Sequence, residues 1–352
     1  MVLENVPNTP RRVAANFRPD RVYFEPRALE YPMGRRLLAR FEQENVDIRE
    51  TTSHNQIRDL PGETTTGKYR EAKRTMVVGV RKSAEFQTSK PSAEYALPLV
   101  TGCPGHCHYC YLQTSLGDKP YVRVYVNHDH IFERARRYIE ARKPEITRFE
   151  GSCVSDPVPV EPYTGSLAAA ITFFADESLG RFRFVTKYDQ IDSLLDLDHR
   201  DHTEIRFSIN TPHVVKTFEP GTSPLDGRIA AAGKVATAGY PLGFLIAPII
   251  IYQGWREDYA RSVENLRSAI PGDVHPSFEL ITHRFTNTAR RLIQQRYPES
   301  SLEMDEEDRQ WKWGQFGYGK YVYRAEDMRE IDRILKTAIA RHFPNSEVKY
   351  LV

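Results

Sequence analysis

Short apolar runs alternate with helical stripes along most of this chain, the pattern of strands and helices taking turns across a parallel sheet or barrel. From about Tyr95 the runs predict strands at Tyr95–Val100, Thr147–Glu150, Arg183–Thr186, Glu204–Ile209, Leu242–Ile251 and Ser277–Ile281. Helical patterns lie between them. Ile131, Ala135, Tyr138 and Ile139 share one face of the first, with Asp129 as its cap. Others run over 165–175 and 225–238, and Tyr259, Val263, Leu266 and Ile270 stripe the last. Six strand–helix units are too few to close an eight-unit barrel, so the pattern predicts an α/β fold built on a partial barrel of the (β/α)6 kind. Parallel strands place their C-terminal ends on one rim, where such folds carry their chemistry.

Two segments fall outside this repeat. Residues 1–94 mix charged runs with Val22-Tyr23-Phe24-Glu25-Pro26 and a helical stretch over 33–41, and read as an N-terminal cap on a barrel spanning 95–290. The C-terminal part, 291–352, opens with alternating aromatics from Trp311 to Tyr323 around Gly314, Gly317 and Gly319, the pattern of a β-hairpin. Lys312, Lys320 and Arg324 add positive charge there. Rings beside cations suit a nucleic-acid surface, since bases stack on rings while lysines meet phosphates; a hairpin that only covers the barrel with its rings is the competing reading. The chain closes with a helix whose apolar face is Met328, Ile331, Leu335 and Ile339.

Composition narrows the classes. A chain of 352 residues buries a substantial core, and a net charge of +2 neither demands nor forbids nucleic acid, so any basic surface must be local. The longest apolar stretch, 242–252, is too short to span a bilayer and contains Gly243 and Pro248, so no membrane role is expected. The first residues lack the apolar core of a signal peptide, and four cysteines in such a length do not make a secreted disulfide framework.

Three of those cysteines, Cys103, Cys107 and Cys110, form a C-x3-C-x2-C loop. Thiolates suit iron–sulfur clusters, and a four-iron cluster normally takes four of them. A loop that offers three leaves one iron open to chelate S-adenosylmethionine (SAM) and pass it an electron, so the spacing points to radical chemistry. Structural zinc is the alternative, with Cys153, His106 or His108 completing the set; zinc sites usually come as two close pairs, and this chain has one triplet and one distant cysteine. Cys153 follows the second predicted strand, Ser155 lies just beyond it, Lys187 ends the third, and Ser208 and Asn210 end the fourth, all on one rim.

The run Lys90-Pro91-Ser92-Ala93-Glu94-Tyr95-Ala96 leading into Thr101-Gly102-Cys103-Pro104-Gly105-His106-Cys107-His108-Tyr109-Cys110-Tyr111-Leu112-Gln113-Thr114 resembles the spore photoproduct lyases, a radical SAM family of DNA-repair enzymes. So do Glu25 to Pro32, Arg49 to Gln56, Phe218 to Asp226 and the hairpin from Lys312 to Tyr321. The resemblance implies the radical SAM partial barrel, a 4Fe-4S cluster and SAM. It also implies reversal of the ultraviolet-made thymine crosslink 5-thyminyl-5,6-dihydrothymine. On it, Cys103, Cys107 and Cys110 are cluster ligands, and Cys153 is the hydrogen-atom donor. Tyr109 and Tyr111 serve SAM contact and radical relay, while Ser155, Lys187, Ser208 and Asn210 contact SAM. Lys312, Tyr318, Lys320 and Tyr321 are the expected DNA contacts. Gln315 departs from the basic residue expected at its place in some relatives. The implied partners are ultraviolet-damaged DNA and an electron donor such as a flavodoxin or ferredoxin, in the cytoplasm of a spore core or germinating spore.

The residues alone leave two other classes open. A different radical SAM enzyme would act on RNA, peptide or a small molecule, and a zinc-stabilised nucleic-acid-binding protein would do no chemistry.

Overall fold

The computed structural model describes residues 17–83, 85–313, 317 and 319–352. The chain first lays down Arg21–Phe24 (β1), Asp47–Glu50 (β2) and Thr75–Gly79 (β3), a parallel trio with β1 in the middle. The short pair Thr88–Ser89 (β4) and Ala93–Ala96 (β5) follows, antiparallel. Val100–Thr101 (β6) and Val122–Tyr125 (β7) then return to the first trio, giving one sheet in the order β2-β1-β3-β7-β6.

The second sheet carries the barrel. Its strands are Thr147–Glu150 (β8), Gly180–Thr186 (β9), Thr203–Ile209 (β10), Leu242–Ile249 (β11) and Ser277–Thr282 (β12). A hairpin, Arg309–Trp313 (β13) and Gly319–Tyr323 (β14), forms a separate two-stranded sheet, and a last strand, Val348–Leu351 (β15), completes the second. The order is β15-β12-β11-β10-β9-β8-β5-β4, and every pair from β5 to β15 is parallel. Helices Ser166–Ala175, Leu225–Thr237 and Trp255–Ala269 occupy the crossovers. The first buries Leu167, Ile171 and Phe174, and Phe174 stacks on Phe182 of β9 with centroids 5.5 Å apart. This is the partial barrel that the apolar runs predict.

Four expectations need correction, and one strand was not foreseen. The run Tyr95–Val100 is not one strand: β5 stops at Ala96, and Pro98, which has no N–H for a ladder, lies where the chain crosses to the other sheet. The N-terminal segment is more than a cap, since it supplies three strands of a five-stranded sheet whose other two, β6 and β7, come from within the 95–290 span. Asp129 lies inside the helix His128–Ala141; Asn127 stands at its start, with its amide bonded to the backbone N–H and C=O of Arg81. Ile270 ends the helix before it in an extended conformation. The strand β15 gives no signal beyond four residues at the end of the chain.

A layer of charge crosses the barrel sheet. Arg206 pairs with Glu150 and with Glu279 at 2.8 Å, and Arg183 pairs with Glu279 at 2.6 Å and Glu204 at 2.8 Å. Burial pushes Glu204 up, but Arg183, Lys349 and Arg206 outweigh it and hold the carboxyl at about 2. A carboxylate depressed in the folded state contributes stability that is present above its ordinary pKa, about 4.5, and is lost as pH falls towards 2. The melting temperature is therefore expected to drop steeply over that window, and a Glu204→Gln variant, less stable at neutral pH, should show a shallower drop; parallel curves would show that Glu204 does not contribute.

Candidate functional site

The cysteine loop leaves β6 through Gly102, whose φ is +87°, and a Cβ there would sit 2.5 Å from the carbonyl oxygen of Tyr121. Only glycine allows that turn. The Gly102 N–H donates to the Val154 carbonyl at 2.9 Å, and Gly102 bridges Ser155 in parallel. The loop after β6 in one sheet is thus bonded to the turn after β8 in the other, and the triplet and Cys153 share one region. Lys73, buried at the end of helix Thr65–Lys73, clamps the loop by donating to the carbonyls of Cys103 at 2.7 Å and Gly105 at 2.9 Å. The backbone N–H groups of His106 and His108 donate to Pro220 at 2.8 Å and Phe218 at 2.9 Å.

All four cysteines are free thiols. Among the described residues, no three His, Cys, Asp or Glu side chains gather around a point that one metal ion would fill. Three thiols leave one iron of a four-iron cluster open, whereas structural zinc takes four protein ligands. Burial pushes the Cys103 thiol up to about 11 against the pull of Lys73, and Cys107 higher still. These groups are neutral on their own and become thiolates only with a metal's charge beside them.

Next to the loop lies a polar knot that the chain assembles from six places along its sequence. Lys187, just past β9, donates from Nζ to Ser208 Oγ at 2.6 Å, Glu219 Oε1 at 3.1 Å and the Ala247 carbonyl at 3.2 Å. The Tyr109 hydroxyl donates to the same Glu219 oxygen, and Arg228 pairs with the other at 2.6 Å. Burial pushes Glu219 up, but Arg228 and Lys187 outweigh it and hold the carboxyl at about 2. The structure so brings together Tyr109, Lys187 and Ser208. Asn210 is not in this knot: it is fully buried, giving its amide N–H to Pro248 at 2.7 Å and accepting from Tyr259 at 2.7 Å. Ser155 donates weakly to Gly151 at 3.4 Å.

On the other side, the Tyr111 hydroxyl donates to the Cys153 carbonyl, while the residue as a whole is 58% exposed. Burial of the hydroxyl, with Cys153 and Cys110 close by, raises its pKa far above the ordinary phenol value. Burial also raises the Cys153 thiol, opposed by a hydrogen bond with Ser89 and aided by Glu150.

The hairpin splits its residues between two jobs. Lys312 and Lys320 stand directly opposite each other across the strands, a like-charge pair that costs stability. Trp311 and Trp313 are 44% and 70% exposed, and a Cβ on Gly319 would overlap the Trp311 ring. Tyr321 instead anchors the hairpin: its backbone bonds Phe285 in both directions, and its hydroxyl donates to Glu306 at 2.5 Å. Tyr318 and Gln315 lie outside the described residues.

Sequence reasoning passed over Glu219, Arg228 and Lys73. Arg228 carried a signal, since it shares the buried stripe of Ala231, Ala232 and Val235, where a lone cation demands a buried anion. Glu219→Ala is expected to destabilise the fold by about 3–5 kcal/mol, because it strands Arg228 and Lys187 without their partner. Chemical denaturation measures this, and a loss below about 1 kcal/mol would remove Glu219 as the organiser of the knot.

A partial parallel barrel with a three-thiol loop bonded to its rim defines a radical SAM enzyme. A sequence model of the family described as spore photoproduct lyase matches residues 17–352. The spore photoproduct lyase of Bacillus subtilis (strain 168) is 53% identical over 336 residues, 95% of this chain and 98% of the relative; that of Geobacillus sp. (strain Y412MC61) is 54% identical over the same shares. Among solved structures, a spore photoproduct lyase double mutant with bound AdoMet and dinucleoside spore photoproduct superposes with a TM-score of 0.94 at 53% identity, covering 96% of this chain and 100% of its own. A second, complexed with dinucleoside spore photoproduct, also gives 0.94, at 54% identity and the same coverage. This chain belongs to the spore photoproduct lyase family.

Proposed function

We propose that Cys103, Cys107 and Cys110 hold the 4Fe-4S cluster with which this lyase, using SAM, returns 5-thyminyl-5,6-dihydrothymine in ultraviolet-damaged DNA to two thymines, and that Cys153 supplies the hydrogen atom that finishes the repair. The observation that carries this reading is the bond between the cysteine loop and the Cys153 turn through Gly102, Val154 and Ser155. The bound cluster and SAM supply a carbon-centred radical able to take hydrogen from the lesion.

The chain's own groups do the rest. Lys187, Ser208, Tyr109 and Glu219 form a rigid, charged wall beside the loop that orients the amino acid end of SAM; Ser155 and Asn210 frame the same rim. Cys153 gives hydrogen from Sγ to the carbon left bare when the crosslink opens. A weak S–H bond suits that step, and the raised pKa keeps the group a thiol at neutral pH. Tyr111, hydrogen-bonded at Cys153 and kept protonated, is the next hydrogen source in line. The lesion leaves the base stack to reach these groups, at a cost of roughly a few kcal/mol that damage reduces.

The hairpin grips the strand. Exposed Trp311 and Trp313 offer stacking faces, and Lys312 and Lys320 meet phosphates; burial, and after it the nearby Arg284 and Lys312, lowers the Lys320 pKa. Exchanging both lysines for Ala is expected to weaken DNA binding and flatten its salt dependence by about 0.7–0.9 per lost phosphate contact. Unchanged affinity from low to moderate salt would return the hairpin to packing.

A reduced flavodoxin or ferredoxin feeds the electron, and the work falls in the spore core or germinating spore, where this lesion matters. Among the described residues, no helix is long and apolar enough to cross a membrane. The deciding assay is anaerobic incubation with SAM, a reductant and DNA irradiated dry, followed by mass analysis. Restored thymine is the expected product; intact lesion beside an active cluster would sink the reading.

A further inference from the structure

A cavity of about 540 Å³ opens between the two sheets. Val100, Thr101, Arg123 and Tyr125 come to it from the first sheet, and Gly151 and Cys153 from the second. Its volume lies within the roughly 300–1,000 Å³ of sites for small ligands. The charge on its wall is one-sided. Among the described residues, Arg81, Lys119 and Arg123 line it and no Asp or Glu does.

None of those three cations has a carboxylate partner among the described residues. Arg123 is held in place by backbone carbonyls of His54 at 2.8 Å and Lys119 at 3.0 Å, which fix its guanidinium without neutralising it. Arg81 lies 5.7 Å from the Tyr125 ring centroid, and its buried Nε has no hydrogen-bond partner. Arg123 is buried, Arg81 is part-buried with its Nε enclosed, and Lys119 is exposed. Proteins pair buried donors and charges unless a ligand is to do so, so Arg123 and Arg81 without a carboxylate around a hollow call for an anion, and Lys119 adds to the positive field on the same wall.

The N-terminal motif blocks, Glu25 to Pro32 and Arg49 to Gln56, meet behind this wall. Glu25 accepts from the His54 backbone and ring nitrogen, both at 2.8 Å, and from the Val80 N–H at 2.9 Å. It thereby fixes the residues directly after those two, Asn55 and Arg81, which both line the cavity.

We infer that this cavity binds a backbone phosphate of the DNA strand flanking the lesion, seating the neighbouring nucleotide so that the crosslink lies against Cys153. Cys153 shares the wall, so an occupant sits beside the group that meets the lesion. Leu97, Pro98 and Val100 provide apolar surface for a deoxyribose, while the cations take the phosphate. The inference rests on the reading of the site given above.

Two substrates separate the possibilities: dinucleoside spore photoproduct, which has no flanking phosphate, and an oligonucleotide carrying the same lesion. The Arg81→Gln, Lys119→Gln double variant is expected to raise the oligonucleotide KM about tenfold, the scale of a lost charge-assisted contact. Its binding should lose about 0.7–0.9 of salt slope per cation removed. Turnover of the dinucleoside, judged by kcat/KM, should match the parent protein. Equal losses on both substrates would make the cavity a structural or lesion-base pocket, and no loss on either would leave it outside the strand's path; both results overturn the inference. A parent protein that repairs neither substrate would defeat the functional reading itself.

Discussion

Cys107→Ala protein, prepared without air, is expected to lose most of its iron and all detectable SAM cleavage. Cys107 is the buried member of the triplet, in a loop clamped by Lys73 and by the backbone bonds to Pro220 and Phe218. Removing its thiol leaves two ligands, too few to hold a four-iron cluster. The histidines nearby do not fill the gap. His108 stacks on Tyr297 with centroids 4.3 Å apart and bonds Ser300 at 2.8 Å, and burial holds His106 down to about 4 among the cations Lys73, Arg70 and Arg74. Iron content, absorbance and methionine release measure the outcome together. A full cluster and normal cleavage in this variant would mean that the ligands lie elsewhere.

Cys153→Ala should fail differently. The cluster's absorbance and SAM cleavage are expected to persist, since the triplet and the Lys187–Glu219 knot are untouched. Lesion is still consumed. Clean thymine falls to a minor product, and the bare carbon collects adducts from solvent species or reductant, which mass analysis of the digested DNA resolves. Loss of iron would instead make Cys153 a ligand. A normal yield would pass the donor role to Tyr111, whose hydroxyl lies at the Cys153 carbonyl.

Most of the barrel was legible because its strands are buried on both faces and read as continuous apolar runs between striped helices. Phe149, Phe184, Phe207 and Phe244 lie in such runs and are all fully buried. The first sheet was less legible. β6 has two residues and β7 four, too short for periodicity, and Pro98 inside an apolar run was the one sign that Tyr95–Val100 changes sheets. In the site, the cysteine triplet is visible directly as a spacing in the sequence. Glu219 is not, because its partners lie 32 positions before it in Lys187 and nine after it in Arg228, and a buried ion pair shows in sequence only as a charge on an apolar stripe. The hairpin's rings were visible, but which face solvent was decided by the contact of Tyr321 with Phe285.

The bond from Gly102 to Val154 joins two sheets that otherwise fold around different strands. On the roles proposed above, the apparatus that starts the reaction hangs from one, and the thiol that ends it hangs from the other. Rate and accuracy are therefore separable properties of this molecule. Damage to the loop gives an inert protein, which leaves a genome no worse than it found it. Slackness at the joint gives a protein that still opens lesions and hands the intermediate to whatever is near, turning one kind of scar into another.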